Sequence, residues 1–329
     1  MKAVWYTRQG AAAEVLQFGE QPTPHAKAGE VRVHLHASGV NPADIYRRSA
    51  GGYPMDGALV IPDSDGSGVI DELGTGVDSS WLGKRVWLYN GQRGGRLLGT
   101  AAQYIALDVD LVAELPDKTS FTDGACLGIP CMTAHRSVTL GGDLAGRSVL
   151  ITGVAGAVGH YAIQWAKRFG ARVVTTVSSA DKAEHAARAG ADAIVNYKTE
   201  DVGARVREFT RGAGVDHAVE VDFGGNLAVT LPLIALNGSI AYYASRGNLA
   251  PVFPARDAMS RNVSIHAMVL NTIPVAARRR AQSDIVRWLN DGGMIHTLAG
   301  MYPLPRTADA HGAVESGGKR GTVVVDCAA

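Results

Sequence analysis

The sequence predicts an α/β protein in two parts: a β-rich domain of short strands, and a doubly wound parallel sheet with helices on both faces. Three observations predict it. Residues 1–120 are punctuated by Pro22, Pro24, Pro42, Pro54 and Pro62 and by the glycine-rich stretch 91–99, GQRGGRLLG, which suggests short strands. From residue 121 onward, apolar strand-like runs alternate with helical ones, the pattern of a parallel sheet. The first of those runs enters a glycine-rich turn and then a helix.

In the N-terminal part, residues 31–36 (VRVHLH) alternate apolar and polar side chains, the period of a half-buried strand. His34 and His36 share one face of it and read as a solvated polar face. Beyond residue 121 the alternating segments are 148–152, 158–169, 172–177, 181–189, 193–195, 201–211, 216–221, 226–236, 238–243 and 263–269. Val158, Ala162, Trp165, Ala166 and Phe169 recur at helical spacing and predict one buried face. Gly170 and Gly190 each follow a helical run, where a left-handed residue ends a helix. A last long helix is expected over 276–290, with Arg278, Arg279 and Arg280 in a solvated first turn. The tail closes on an apolar strand, GTVVVD.

Composition narrows the function classes. The 329 residues carry 32 basic and 31 acidic side chains, a formal net charge of +1. Nothing in that balance calls for nucleic acid or an anionic membrane as the main partner. Cys126, Cys131 and Cys327 form neither a CxxC pair nor a zinc-ribbon spacing. With no signal-like apolar leader and no apolar run of about 20 residues, the expectation is a cytoplasmic protein.

Residues 148–170, SVLITGVAGAVGHYAIQWAKRFG, carry the most chemistry. Glycines spaced Gly153-x-x-Gly156-x-x-Gly159 between a strand and a helix allow a tight turn, close approach to a pyrophosphate and close strand–helix packing. Gly153, Ala155, Gly156, Ala157, Val158 and Gly159 are therefore candidate phosphate contacts, at a helix N-terminus whose N–H groups favour anions. The next strand ends at Val177, followed by Ser178 and Ser179, with Lys182 beyond. An acid at that tip would bind a ribose 2′-hydroxyl. Hydroxyls and a cation suit a 2′-phosphate instead, although a lone helix lysine is as readily a solvated one. Asp181 reads as a helix-start residue.

Read together, several stretches resemble the zeta-crystallin-like quinone oxidoreductases, zinc-independent members of the medium-chain dehydrogenase/reductase superfamily. They are GVNPADIYRRSAGGYP (39–54), IPDSDGSGVIDELGTGV (61–77), GKRVW (83–87), GIPCMTAHRSV (128–138), ITGVAGAVG (151–159), DAIVNYKTED (192–201), ASRG (244–247) and ESGGKRGTVVV (315–325). The resemblance implies a GroES-like catalytic domain from 1–120 and 291–329 and an inserted Rossmann NADPH-binding domain from 121–290. It implies that Lys182 and Tyr197 hold the 2′-phosphate and places Lys319, beside Arg320, near a further basic contact. It sets Thr133 beside the nicotinamide and the Ser245-Arg246-Gly247 loop along the cofactor. Asn41 and Tyr46 correspond to polar residues lining the substrate cleft. A homodimer paired through the 263–269 edge strand is also implied, in keeping with the liability of an unpaired edge.

Departures are equally specific. Asp63 stands where the family has glycine and adds a carboxylate near the expected cleft. The 90–99 loop is longer and more basic, and EVDFGG (220–225) replaces a different order of residues. Where zinc-dependent relatives carry their ligands, this chain has Val40-Asn41-Pro42 and Pro62-Asp63-Ser64-Asp65-Gly66, so no metal is expected. Arg47 and Arg48 either meet a charged substrate group or form ion pairs. The expected activity is metal-free, NADPH-dependent reduction of a quinone, with Asn41 and Tyr46 binding the developing oxyanion. The alternatives are an enone or enoyl reductase, or a catalytically quiet NADPH-binding or RNA-binding protein.

Overall fold

The computed structural model describes residues 1–49, 54, 55 and 57–328. Part of the 39–54 motif, residues 50–53, lies outside them. The chain divides into two compact units: Met1–Pro130 with Gln282–Ala329, and Cys131–Ala281.

The second unit is a six-stranded sheet in the order Ala193–Asn196, Arg172–Val177, Ser148–Ile151, Val215–Glu220, Ile234–Tyr242 and Ser264–Ala267. Every neighbouring pair is parallel. The chain enters at the 148–151 strand, builds outward to one edge, then returns past it and builds to the other. The order therefore reverses between the 148–151 and 215–220 strands, and in such sheets ligands bind beyond the carboxyl ends at that switch point. The strands are apolar along their length, as burial on both faces requires: Val149, Leu150, Ile151, Val173, Val174, Ala218 and Val219 are all essentially inaccessible. Ser264–Ala267 forms one sheet edge.

The helix Ala157–Arg168 is more buried than its spacing predicts. Val158 is half-buried, while His160, Tyr161, Ile163 and Gln164 are enclosed along with Ala162, Trp165 and Ala166. It is covered beyond its sheet-facing side: His135 of the Met132–Thr139 helix meets Trp165 edge-on at 4.8 Å between ring centroids, and His185 of the Ala180–Arg188 helix lies 4.3 Å from His160. The expected helix over 226–236 is shorter. It runs from Phe223 to Thr230, and a single turn containing Pro232 leads directly into the strand at Ile234, because proline cannot donate to the preceding turn. Gly170 and Gly190 have φ of 79° and 99°, as their place after a helix demands.

The first unit is a mostly antiparallel sheet around the long strand Glu30–Val40, which pairs with Thr322–Asp326, Asp65–Leu73 and Tyr104–Asp108. The His34 and His36 face is more than a solvated one. His34 stacks on Tyr104 at 4.8 Å and His36 on Phe121 at 4.1 Å, and both imidazoles are half-buried. The helix Pro42–Arg48 follows the long strand directly, and the helix Thr307–Glu315 precedes the last strand. Among the described residues no helix is long and apolar enough to cross a membrane.

Candidate functional site

At the carboxyl ends of the second unit's strands lies a cleft of about 590 Å³. The glycine turn forms one wall for steric reasons. Gly153 has φ of 70°, and a Cβ there would sit 2.6 Å from Val221. A Cβ on Gly159 would lie 2.7 Å from the Gly153 carbonyl oxygen and from Val154 Cα, so the helix can approach the strand only without one. Gly156 differs: its Cβ would meet no protein atom closer than 3.5 Å. The space over the turn is left open, and Ala157, Val158 and Gly159 begin the helix with Gly156 as its N-cap. Gly153, Val154 and Ala155 line the cleft.

Another wall gathers residues that follow two strands, together with one from the first turn of a helix. Ser178, Lys182 and Tyr197 all line the cleft, and Lys182 Nζ donates to Ser178 Oγ at 2.8 Å. The amine and hydroxyl are thus already paired, and Tyr197 beside them is more than half exposed. Ser179 caps the Ala180–Arg188 helix in extended backbone, and Asp181 sits in that helix's first turn. Glu200 also reaches the cleft, but it accepts from Asn196 N at 2.7 Å and pairs with Arg205 at 2.5 Å.

Beneath the cleft and along it lie residues that sequence reasoning missed. Glu220 is fully buried and accepts four hydrogen bonds: Thr152 Oγ1 at 2.7 Å, Asn226 Nδ2 and Asp222 N at 2.8 Å, and Thr230 Oγ1 at 3.0 Å. A buried carboxylate is tolerable when its lone pairs are so filled, and this one ties the two strand ends at the switch point to the next helix. Asp222, which lines the cleft, accepts from Arg246 N at 2.7 Å and from Gly247 N at 3.0 Å, while Ser245 Oγ accepts from Gly224 N at 3.0 Å. The Ser245–Arg246 loop is thereby fixed to the cleft rim. The departure of EVDFGG from the family order was the available signal. Thr133 is buried in the Met132–Thr139 helix and is not among the residues lining the cleft.

Asn41, Tyr46 and Lys319 belong to the first unit. Asn41 is the N-cap of the Pro42–Arg48 helix, nearly enclosed, and Tyr46 is half-buried one turn later. Asn41 Nδ2 donates to Asp65 Oδ2 at 2.7 Å, and its other contact, Gly39 O, is a long 3.5 Å. One amide N–H is therefore committed, and only the weakly held second one can turn to another acceptor. Asp65 also accepts from Ile129 N at 2.8 Å, while its Oδ1 has no partner among the described residues. Burial, and then the nearby Asp44 carboxylate, push the Asp65 carboxyl well above the usual range. Lys319 Nζ donates to Gly321 O at 3.1 Å, and burial lowers its pKa.

Asp63 is an interior residue. It is fully buried, holds φ of 71°, and bonds His311 Nε2 through Oδ1 at 2.9 Å. A positive φ of this kind is one that glycine adopts freely. Aspartate is among the few side chains that adopt it readily, and here the added carboxyl finds an imidazole 248 residues away. Burial raises its pKa against the pull of His311. Of the two arginines, Arg48 is buried and paired with Glu315 and the Gly10 carbonyl.

Residues 27–117 match the alcohol dehydrogenase GroES-like domain family, and residues 157–299 match the zinc-binding dehydrogenase family. The chain belongs to the medium-chain dehydrogenase/reductase superfamily, a class of oxidoreductases built from a GroES-like domain and a Rossmann domain. Within it, zeta-crystallin-like quinone oxidoreductases are among its homologues. It is 28% identical to the quinone oxidoreductase of Homo sapiens over 91% of this chain and 92% of that one. Two solved structures, each 28% identical and covering 99% of this chain, are an NAD-dependent alcohol dehydrogenase at a TM-score of 0.89 and a mycobacterial protein complexed with NADPH at 0.86. They are covered over 99% and 100% of their own lengths. Among the described residues no three His, Cys, Asp or Glu side chains converge, and Cys126, Cys131 and Cys327 are buried free thiols.

Proposed function

We propose that this chain reduces quinones with NADPH by metal-free hydride transfer. The observation that carries the reading is the cleft itself. One wall is the Gly153–Gly159 turn with open space over Gly156, and the other brings the Ser178–Lys182 pair together with Tyr197. The first wall suits a pyrophosphate at a helix N-terminus. The second offers a cation and hydroxyls to a 2′-phosphate. The human relative's name and the NADPH complex of the mycobacterial relative support the same reading.

When bound, the nicotinamide supplies the hydride, so the protein's task is to bind, orient and stabilise charge. Thr133 would hold the ring, the Ser245–Arg246 loop and Lys319 would border the cofactor, and Asn41 and Tyr46 would act on the substrate. The second N–H of Asn41, held only by a long bond to Gly39 O, would turn to meet the developing oxyanion, its other N–H being held by Asp65. Tyr46 or water would deliver the proton. A quinone needs no Lewis acid because it is already electrophilic. The Ser264–Ala267 edge strand would pair with a second copy, and light scattering should then give a dimer at micromolar concentration.

The test is NADPH oxidation across a panel of benzoquinones and enones, in chelator, for wild type, Asn41→Ala and Tyr46→Phe, with NADPH affinity titrated in parallel. Both variants should turn over quinone more slowly at nearly unchanged NADPH affinity. Full turnover in the double variant would remove these residues from the reaction. Activity confined to enones would assign the chain to enone reduction instead.

A further inference from the structure

The 90–99 loop and the Pro42–Arg48 helix meet in the interior of the first unit. Arg93 is 5% exposed and Asp44 2%. Arg93 Nη2 donates to Asp44 Oδ1 at 2.8 Å, and Ser64 Oγ donates to the same oxygen at 2.8 Å. The other oxygen, Asp44 Oδ2, accepts from Asn41 N at 2.8 Å. Arg93 Nη1 is anchored on its own loop, donating to Gln92 O at 2.6 Å and to Gln92 Oε1 at 3.1 Å. The loop is in turn fixed to the sheet: Gly91 N donates to Ser64 O at 2.8 Å, and Arg96 Nε donates to Gly91 O at 3.0 Å.

From this geometry we propose that the Arg93–Asp44 ion pair is a buried clamp that positions Asn41 and Tyr46, making Arg93 a positioning residue of the reaction. The chain of contacts is short. Arg93 orients the Asp44 carboxylate, that carboxylate holds the Asn41 backbone, and Asn41 is the N-cap from which the helix bearing Tyr46 starts. A buried ion pair adds little net stability over apolar side chains of the same volume, and its best-attested use is to fix one arrangement among several. Arginine suits the place because its planar fork bonds two groups at once, here the carboxylate and the Gln92 carbonyl; an ammonium cannot reproduce that fork.

The proposal rests on the reading of Asn41 and Tyr46 given above, so its test has one arm that needs no activity. The variants are Arg93→Met, Arg93→Lys and the charge-neutral double Arg93→Met/Asp44→Asn, which keeps the measurement possible if the single methionine variant does not fold. In the first arm, kcat and KM for a benzoquinone are measured beside NADPH affinity. Arg93→Met and the double variant should lose at least tenfold in kcat with NADPH affinity within twofold of wild type. Arg93→Lys should recover part of the loss. In the second arm, hydrogen exchange is followed by mass spectrometry. Protection across residues 41–48 should fall at least tenfold in the methionine variants, and protection across 148–151 should hold. Unchanged exchange at 41–48 overturns the clamp whatever the activity. Reduced protection with wild-type kcat overturns its role in the reaction. Should wild type reduce neither quinone nor enone, the functional reading fails, and the exchange arm still decides the clamp.

Discussion

The polar groups that the sequence singles out are placed differently in the two units. In the second unit the Gly153–Gly159 turn, Ser178, Lys182 and Tyr197 stand around an open cleft, and the pattern that builds it is local. In the first unit the polar groups turn inward. Asp44, Asp63, Asp65, Arg93 and His311 are buried and bonded to one another or to their neighbours. The difference teaches that a glycine turn fit for a phosphate can be written in a few consecutive residues, whereas a precisely held helix end is written in pairs far apart along the chain.

The comparison breaks most visibly at Gly159. Gly159→Val forces a side chain against the Gly153 carbonyl and Val154 Cα, backbone atoms that cannot turn aside. A stability loss of about 3 kcal/mol or more is expected, with NADPH binding abolished. Thermal unfolding and a fluorescence titration check both, and a variant that binds NADPH normally would show that the turn is looser than its geometry.

A second test concerns the interior of the second unit. His217 is buried between Ser239 Oγ at 2.8 Å and Ser137 O at 2.9 Å, and burial lowers its pKa from 6.5 to about 4. The unfolded chain takes up the proton first as the pH falls. Stability from this residue is therefore complete above pH 6.5, is lost on acidification from 6.5 towards 4, and is gone below that. The shift corresponds to about 3 kcal/mol. His217→Gln should flatten that part of the denaturant-derived stability profile, and an unchanged acid limb would place the titration elsewhere.

The cleft's second wall is sharpened by Lys182→Ala. Loss of a charged phosphate partner should cost about 1.5–3 kcal/mol in NADPH affinity and little in NADH affinity. Equal losses for both cofactors would mean that the Ser178–Lys182 pair serves the helix and not a 2′-phosphate.

The last test concerns the first unit's buried acids. Asp65 keeps its proton to higher pH in the folded state than in the unfolded one. The native state therefore loses stability as the pH rises from the unfolded value, 3.8, through the raised folded one. Asp65→Asn removes that loss, so the Tm of the variant relative to wild type should climb between pH 4 and pH 8. A difference that stays flat or falls would mean that the carboxyl is ionised when buried.

Much of this protein was legible in its sequence. Strand–helix alternation after residue 121, the glycine turn, the helix ends at Gly170 and Gly190, and the strand-tip hydroxyls with Lys182 each depend on residues within one or two turns of one another, and local sterics set them. Tertiary structure alone decided the rest. Asp63 meets His311 across 248 residues, Arg93 meets Asp44 across 49, and Glu220 gathers Thr152 from 68 residues away. Spacing carries no trace of such pairs. An ionisable group buried by the fold must find whatever donor or counter-charge the packing brings beside it, and only the packed chain determines which residue that is.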